Sequence, residues 1–144
     1  MKALRLIELI FFLALLTGCS PGSITSTSIK NDTKGPLDVV LYSANQGKVK
    51  ARSLSAKSKE NIEIFFENPA HGVIKEAFPQ DLGIDSIRFD FPGILTITFK
   101  EGDPGKNPFN KDDWIQSTKQ KKLSGMIIVT AIFEISEEDL KSWQ

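Results

Sequence analysis

The sequence predicts a mainly β fold: a single antiparallel β-sandwich of immunoglobulin-like type with short helices, a small β-barrel being the alternative. Three observations lead there. Apolar residues recur at every second position through most of the chain, the period of a strand with one buried face. Gly, Pro and Asn clusters interrupt those runs at short spacing. Helices do not alternate with strands in the βαβ rhythm that a parallel sheet requires.

The elements follow in order. Residues 1–18 stand apart and are expected to form an N-terminal signal helix. Met1-Lys2-Ala3-Leu4-Arg5 is basic, Leu6–Leu16 is an 11-residue run that is apolar except for Glu8, and small residues Thr17 and Gly18 precede Cys19. A basic end, a short apolar run and small residues before a cut make a secretory signal. The run falls short of the ~20 residues that cross a bilayer. Glu8 lies near the basic end, where a charge still reaches the interface. Cys19 is the sole cysteine, so no intramolecular disulfide is available, and a free thiol on an exported chain is a reactive liability.

Leu16-Thr17-Gly18-Cys19 resembles the lipobox of bacterial lipoproteins. The resemblance implies cleavage by signal peptidase II between Gly18 and Cys19, a diacylglyceryl thioether on Cys19, and acylation, typically with palmitate, of the new amino group. Two or more acyl chains hold a protein stably at a bilayer. Ser20 stands where Asp favours inner-membrane retention in enterobacterial lipoproteins, so the expected location is the cell envelope, at the outer membrane in preference to the inner.

Ser20–Ser28, rich in Ser and Thr, lacks the apolar surface to order itself. Residues 19–28 are therefore expected to be a lipid-anchored flexible tether, and residues 29–144 a β-rich globular domain beginning near Ile29. Leu37, Val39 and Leu41 alternate with Asp38 and Tyr42, Asn45-Gln46-Gly47 marks a turn, and Lys48, Lys50 and Arg52 alternate with Val49, Ala51 and Ser53. This predicts a hairpin whose second strand has a cationic outer face. Ile62, Ile64 and Phe66 alternate with Glu63 and Glu67; this acidic face is expected beside the cationic one, as opposite charges on neighbouring strands attract.

Asn68–Gly83 is irregular, with a helix-compatible piece from Val73 to Phe78. Asp85–Lys100 reads as a hairpin: Ile87, Phe89 and Phe91, the turn Pro92-Gly93, then Leu95, Ile97 and Phe99. Pro presets φ and Gly accepts φ > 0 at the next position. Glu101–Asn110 is a loop, with Asn110 expected to cap a short helix from Lys111 to Thr118. Met126–Ile135 reads as a central strand buried on both faces. Ser136-Glu137-Glu138-Asp139 opens a C-terminal helix through a near capping box, Asp being shorter than the preferred Glu or Gln.

Across the mature part, Asn31-Asp32-Thr33, the VVLY strand, the DSIRF strand, the Asn107-Pro108-Phe109-Asn110 loop and the ending ISEEDL resemble small envelope lipoproteins of Bacteroidetes-type bacteria that have no established activity. That resemblance assigns no functional residues. The acidic run that follows the cysteine in surface-exposed members is replaced here by Ser20-Pro21-Gly22-Ser23.

Composition narrows the function. The whole chain carries 18 basic and 18 acidic side chains; the signal holds Lys2, Arg5 and Glu8, leaving 16 and 17, net −1. A nucleic-acid binder wants a basic field, so none is expected. Lys119, Lys121 and Lys122 form the one dense basic cluster, read as a solvated loop with an anionic ligand or lipid headgroup as the alternative. His71 is the only histidine, too few for a zinc set or a serine–histidine pair, so no metal, cofactor or catalytic residue is expected beyond the covalent lipid on Cys19. Glu101, Asp103, Asn107, Asn110 and Asp112 offer oxygens around one loop, but their spacing departs from the EF-hand pattern. Asp85-Ser86-Ile87 resembles a bacterial O-glycosylation motif; a simple strand start is the competing reading.

The speculative binding surface comprises Phe109, Trp114, Asp103, Asp112 and Asp113; Tyr42 and Phe65 fall on nominally polar strand faces. Aromatics mark contact sites when accessible; burial in the core is the competing explanation. The expected function is a lipid-anchored, non-enzymatic binding or structural module whose partners are the membrane, through its anchor, and an envelope protein or glycan. The alternatives are an envelope hydrolase using paired carboxylates and a calcium-dependent adhesion domain.

Overall fold

A computed structural model describes residues 22–45, 48–67, 77–121 and 126–144. The expected signal peptide (1–18), Cys19, the turn residues Gln46 and Gly47, His71, most of the helix-compatible piece (73–76) and Lys122 lie outside the described residues.

Among the described residues, eight strands form two four-stranded sheets. They are β1 (Ser23–Asn31), β2 (Leu37–Asn45), β3 (Lys48–Ala56), β4 (Asn61–Glu67), β5 (Ser86–Phe91), β6 (Leu95–Lys100), β7 (Ile115–Gln120) and β8 (Ile127–Ile135). One sheet has the order β4-β1-β8-β7, the other β3-β2-β5-β6. The predicted β-sandwich is what forms; neither sheet closes into a barrel. All pairings are antiparallel except β1 with β8, which is parallel from Ser23↔Ile127 to Asn31↔Ile135. The inner faces share one core, with Ile29, Ile62, Ile64, Phe133 and Ile135 from the first sheet and Leu37, Val39, Leu41, Ile87, Phe89 and Phe99 from the second. Phe89 meets Phe133 across the layers with ring centroids 6.2 Å apart.

Both predicted hairpins are present: β2 pairs β3 without a break, and β5 pairs β6 around Pro92-Gly93, Gly93 taking φ 74°. The predicted C-terminal helix is α1 (Glu137–Ser142). Its capping box is complete, with Asp139 N donating to Ser136 Oγ and Ser136 N to Asp139 Oδ2.

Five local expectations need correction. Residues 23–28, expected within the tether, form the first part of β1, with Ser23, Thr25 and Thr27 buried on its inner face. Composition misleads because β1 is an inner strand whose backbone pairs on both sides, and its inward threonines are β-branched residues that suit a pleated surface. The helix expected over Lys111–Thr118 is a 3-10 turn, Lys111–Asp113, followed by β7; the Asn110 cap is real, its side chain accepting from Asp112 N at 3.2 Å. β8 is central, but only alternate residues are buried.

The remaining two concern β3. Leu54 and Ala56 register against Val39 and Leu37 and point inward. Strand alternation then puts Arg52 and Lys50 on the core-facing side, and Ala51 and Ser53 on the solvent side. The cationic face is therefore the inner one. Nor does the acidic strand lie beside it: β4 pairs with β1 in the opposite sheet, Glu63 registering with Ser28.

Candidate functional site: a lateral cleft with a cationic rim

A sandwich has two lateral sides where edge strands of opposite sheets meet. Here β6 and β7 form one side and β3 and β4 the other. The first is sealed. The loop from Glu101 to Trp114 crosses it, and Asn107, 2 % exposed, organises that loop. Its Nδ2 donates to the carbonyls of Lys100 and Asp103 at 2.8 and 3.1 Å, and its Oδ1 accepts from Phe109 N at 2.9 Å. Trp114 packs edge-on to Phe78 and against Phe133, while its Nε1 donates to Pro108 O at 2.9 Å. Trp143, just past α1, covers Phe99 with centroids 5.0 Å apart. Lys106 Nζ donates to Asp139 Oδ2 at 2.8 Å, joining the loop to α1. Burial opposes ionisation of Asp139, but the Lys106 ammonium and the Ser136 N–H and hydroxyl together hold its carboxyl below the ordinary carboxylate range.

The sequence-predicted surface is therefore dismantled. Phe109 and Trp114 are core residues, 6 and 5 % exposed. Asp103 accepts from Lys100 N, and Asp113 from Asn107 N, so these acids hold turns. Asp112 is exposed in the turn Asn110 caps. Among the described residues no three His, Cys, Asp or Glu side chains converge as a metal set. Ser86 is half-buried at the start of β5, and Asn31, in the Asn-Asp-Thr triplet, is fully buried with its amide donating to Gly35 O and Lys57 O.

Among the described residues, the β3/β4 side is open. A cleft of about 460 Å³ lies there, bordered by β2 and β3 on one wall, Ile64 and Phe65 of β4 on the other, and by Leu82 and Ile84. Leu82 ends a 3-10 turn, Pro79–Leu82, that starts from the buried Phe78 and closes with Gly83 at φ 68°. Leu41 and Ile64 are buried, whereas Phe65, Leu82 and Ile84 are half-buried and face the opening. Arg52 and Lys50 supply the rim. Their inward direction would bury them under a longer opposing sheet; at the edge they extend along the apolar wall and keep their charges in water. Arg52 Nη1 donates to Ile64 O at 3.3 Å, linking the sheets across the cleft. Among the described residues, neither Lys50 nor Arg52 is in a salt bridge. Tyr42 borders the cleft too, but its ring belongs to the outer face, beneath the Arg88 guanidinium at 5.9 Å. Phe65 was legible in the sequence as an aromatic out of pattern. Leu82, Ile84 and Arg52 were not, because nothing in the local spacing shows that the two sheets part here.

Strand pairing also fixes which end the cleft occupies. Ser23, where β1 begins, lies level with Ile127, and Ile127 with Gln120. Phe65 registers with Thr27, the midpoint of β1, while Leu82 and Ile84 precede Ser86, which registers with Tyr42 in the later half of β2, so the cleft runs from mid-strand toward the end at which the chain enters the domain. Lys119 and Lys121 reach that same end along β7. No helix among the described residues is long and apolar enough to cross a membrane. The fold and site, among the described residues, define a β-sandwich with one sealed and one open lateral side. No family model, no curated protein and no solved structure matches the chain.

Proposed function

We propose that this chain is a lipid-anchored envelope protein, tied to its membrane by acyl groups on Cys19, whose β-sandwich serves as a non-enzymatic binding module. The observation that carries this reading is Leu16-Thr17-Gly18-Cys19, placed directly after an 11-residue apolar run and containing the sole cysteine. Two structural features agree with it. Asp103 and Asp113 of the Glu101–Asp113 loop hold turns through backbone N–H groups, which suits a scaffold more than a reaction centre. An apolar cleft with a few polar groups at its mouth has the composition of a ligand site. Ser20 after the cysteine favours the outer membrane.

Intact-mass analysis of protein extracted from membranes tests the reading. The expected product begins at Cys19 and carries a diacylglyceryl group, with amide-linked acylation adding a further fixed increment. Cys19→Ser should leave the chain unlipidated. An unmodified sulfur, or a chain retaining residues ahead of Cys19, would overturn the proposal.

A further inference from the structure

We propose that the lateral cleft binds one single-chain anionic amphiphile: an acyl or alkyl chain ending in a carboxylate or phosphate, taken from the membrane to which the domain is tied. The membrane source rests on the anchoring reading above; the chemistry of the site stands on the cleft itself.

Three observations point the same way. The first is the wall. Leu41, Ile64, Phe65, Leu82 and Ile84 give the apolar part of the lining of a cleft of about 460 Å³, within the range of roughly 300–1,000 Å³ typical of small-molecule sites. An alkyl chain laid there removes apolar surface of both partners from water, the dominant favourable term in such association.

The second is the rim. Lys50 and Arg52 stand two residues apart on the cleft side of an edge strand. Arg52 spends one N–H on Ile64 O, which fixes its guanidinium at the mouth with its other donors still to place. Carboxylate and phosphate oxygens fit such a fork, and an ammonium beside it adds a point charge. Among the described residues neither cation is in a salt bridge, and Asp85, which follows the lining Ile84, has its Oδ2 held by Ala44 N, so the two rim cations favour an anionic head over a cationic one.

The third is position. Gly22 lies three residues after Cys19, a contour of at most about 11 Å. The end of the sandwich at which β1 begins is thus held close to the acylated residue, and the cleft runs from mid-strand toward that end. Lys119 and Lys121 stand at the same end, adding a field that draws anionic lipid.

The test uses the processed full chain in nanodiscs of zwitterionic phosphatidylcholine. The probe is dodecanoate with a terminal diazirine, and the cross-linked residues are mapped by mass spectrometry. The expected label falls on Ile64, Phe65, Leu82 and Ile84. Unlabelled dodecanoate or dodecyl phosphate should displace it, and the stronger of the two names the preferred head group. Dodecyltrimethylammonium, with the same tail and opposite charge, should compete at least tenfold less well. Lys50→Glu changes an exposed side chain and should weaken apparent affinity roughly tenfold, the scale of one charged hydrogen bond, while circular dichroism remains that of the parent. Label scattered over the surface, no label, equal displacement by the cationic amphiphile, or an unchanged affinity in Lys50→Glu would each overturn the proposal. Intact mass of the same samples reports Cys19 separately, so loss of the anchoring reading and loss of the cleft reading give different results.

Discussion

The two lateral sides of this sandwich solve one packing problem in opposite ways. Where β6 and β7 face each other, a loop carrying Phe109 and Trp114 and a terminal helix followed by Trp143 fill the gap, and Asn107 satisfies the buried turn that holds them. Where β3 and β4 face each other, the inward positions near the mouth are Arg52 and Lys50, and the gap stays open beside Leu82 and Ile84. The difference teaches where to look for binding. The aromatic-rich, acid-rich loop is scaffold, and the strand with plain lysine and arginine lines the cleft.

Truncations should separate the sides by stability. Trp114→Ala should have the largest effect, costing about 3–5 kcal/mol as expected for a buried aromatic, read as a lower urea midpoint. Phe65→Ala, removing a half-buried ring at the open side, should cost about 1–2 kcal/mol; equal losses would show that the open side is packed like the sealed one. Asn107→Ala removes two donors from the carbonyls of Lys100 and Asp103, and should cost about 2–3 kcal/mol through unsatisfied buried groups.

Asp139→Asn, which disturbs the helix cap and the Lys106 bridge, should cost about 1 kcal/mol at neutral pH. Its pH dependence is the sharper readout. Because folding lowers the Asp139 pKa, the stability it contributes is present above the ordinary carboxylate range and is lost as pH falls through the lowered folded value. Urea midpoints of the parent and Asp139→Asn should therefore converge under acid. A constant gap down to pH 2 would assign the effect to packing. Lys50→Glu should have the smallest effect, within about 0.5 kcal/mol, leaving ligand binding as its only large consequence.

Much of the sandwich was legible because period-two alternation is a local signal: Ile87, Phe89 and Phe91 declare a buried face, and Pro92-Gly93 declares the return. β1 was illegible because its inward residues are Ser23, Thr25 and Thr27, whose polarity suggests solvent until both neighbouring strands are known. The orientation of β3 depends on Leu54 and Ala56 pairing with β2, against the apparent message of Lys48, Lys50 and Arg52. The helix expected after Asn110 failed for a similar reason. The cap residues were read correctly, but Ile115–Gln120 completes the sheet beside β8, a tertiary demand that overrides a local start signal. The cleft itself arises from the separation of two edge strands in different sheets, which no spacing within either strand encodes.

The proposed anchor at Cys19 and the strand pairing together predict one orientation, with the end of the sandwich at which β1 begins nearest the membrane. Acylation would leave the native chain without a free thiol, so single cysteines can be introduced at Lys121, at the entry end, and at Lys57, at the far end beyond β3. Energy transfer from a thiol-linked donor to acceptor lipids in vesicles measures the height of each. Strong transfer from Lys121→Cys and weak transfer from Lys57→Cys, a separation of about 20–30 Å along strands of this length, is the predicted result. Equal transfer from the two positions, or stronger transfer from Lys57→Cys, would contradict it.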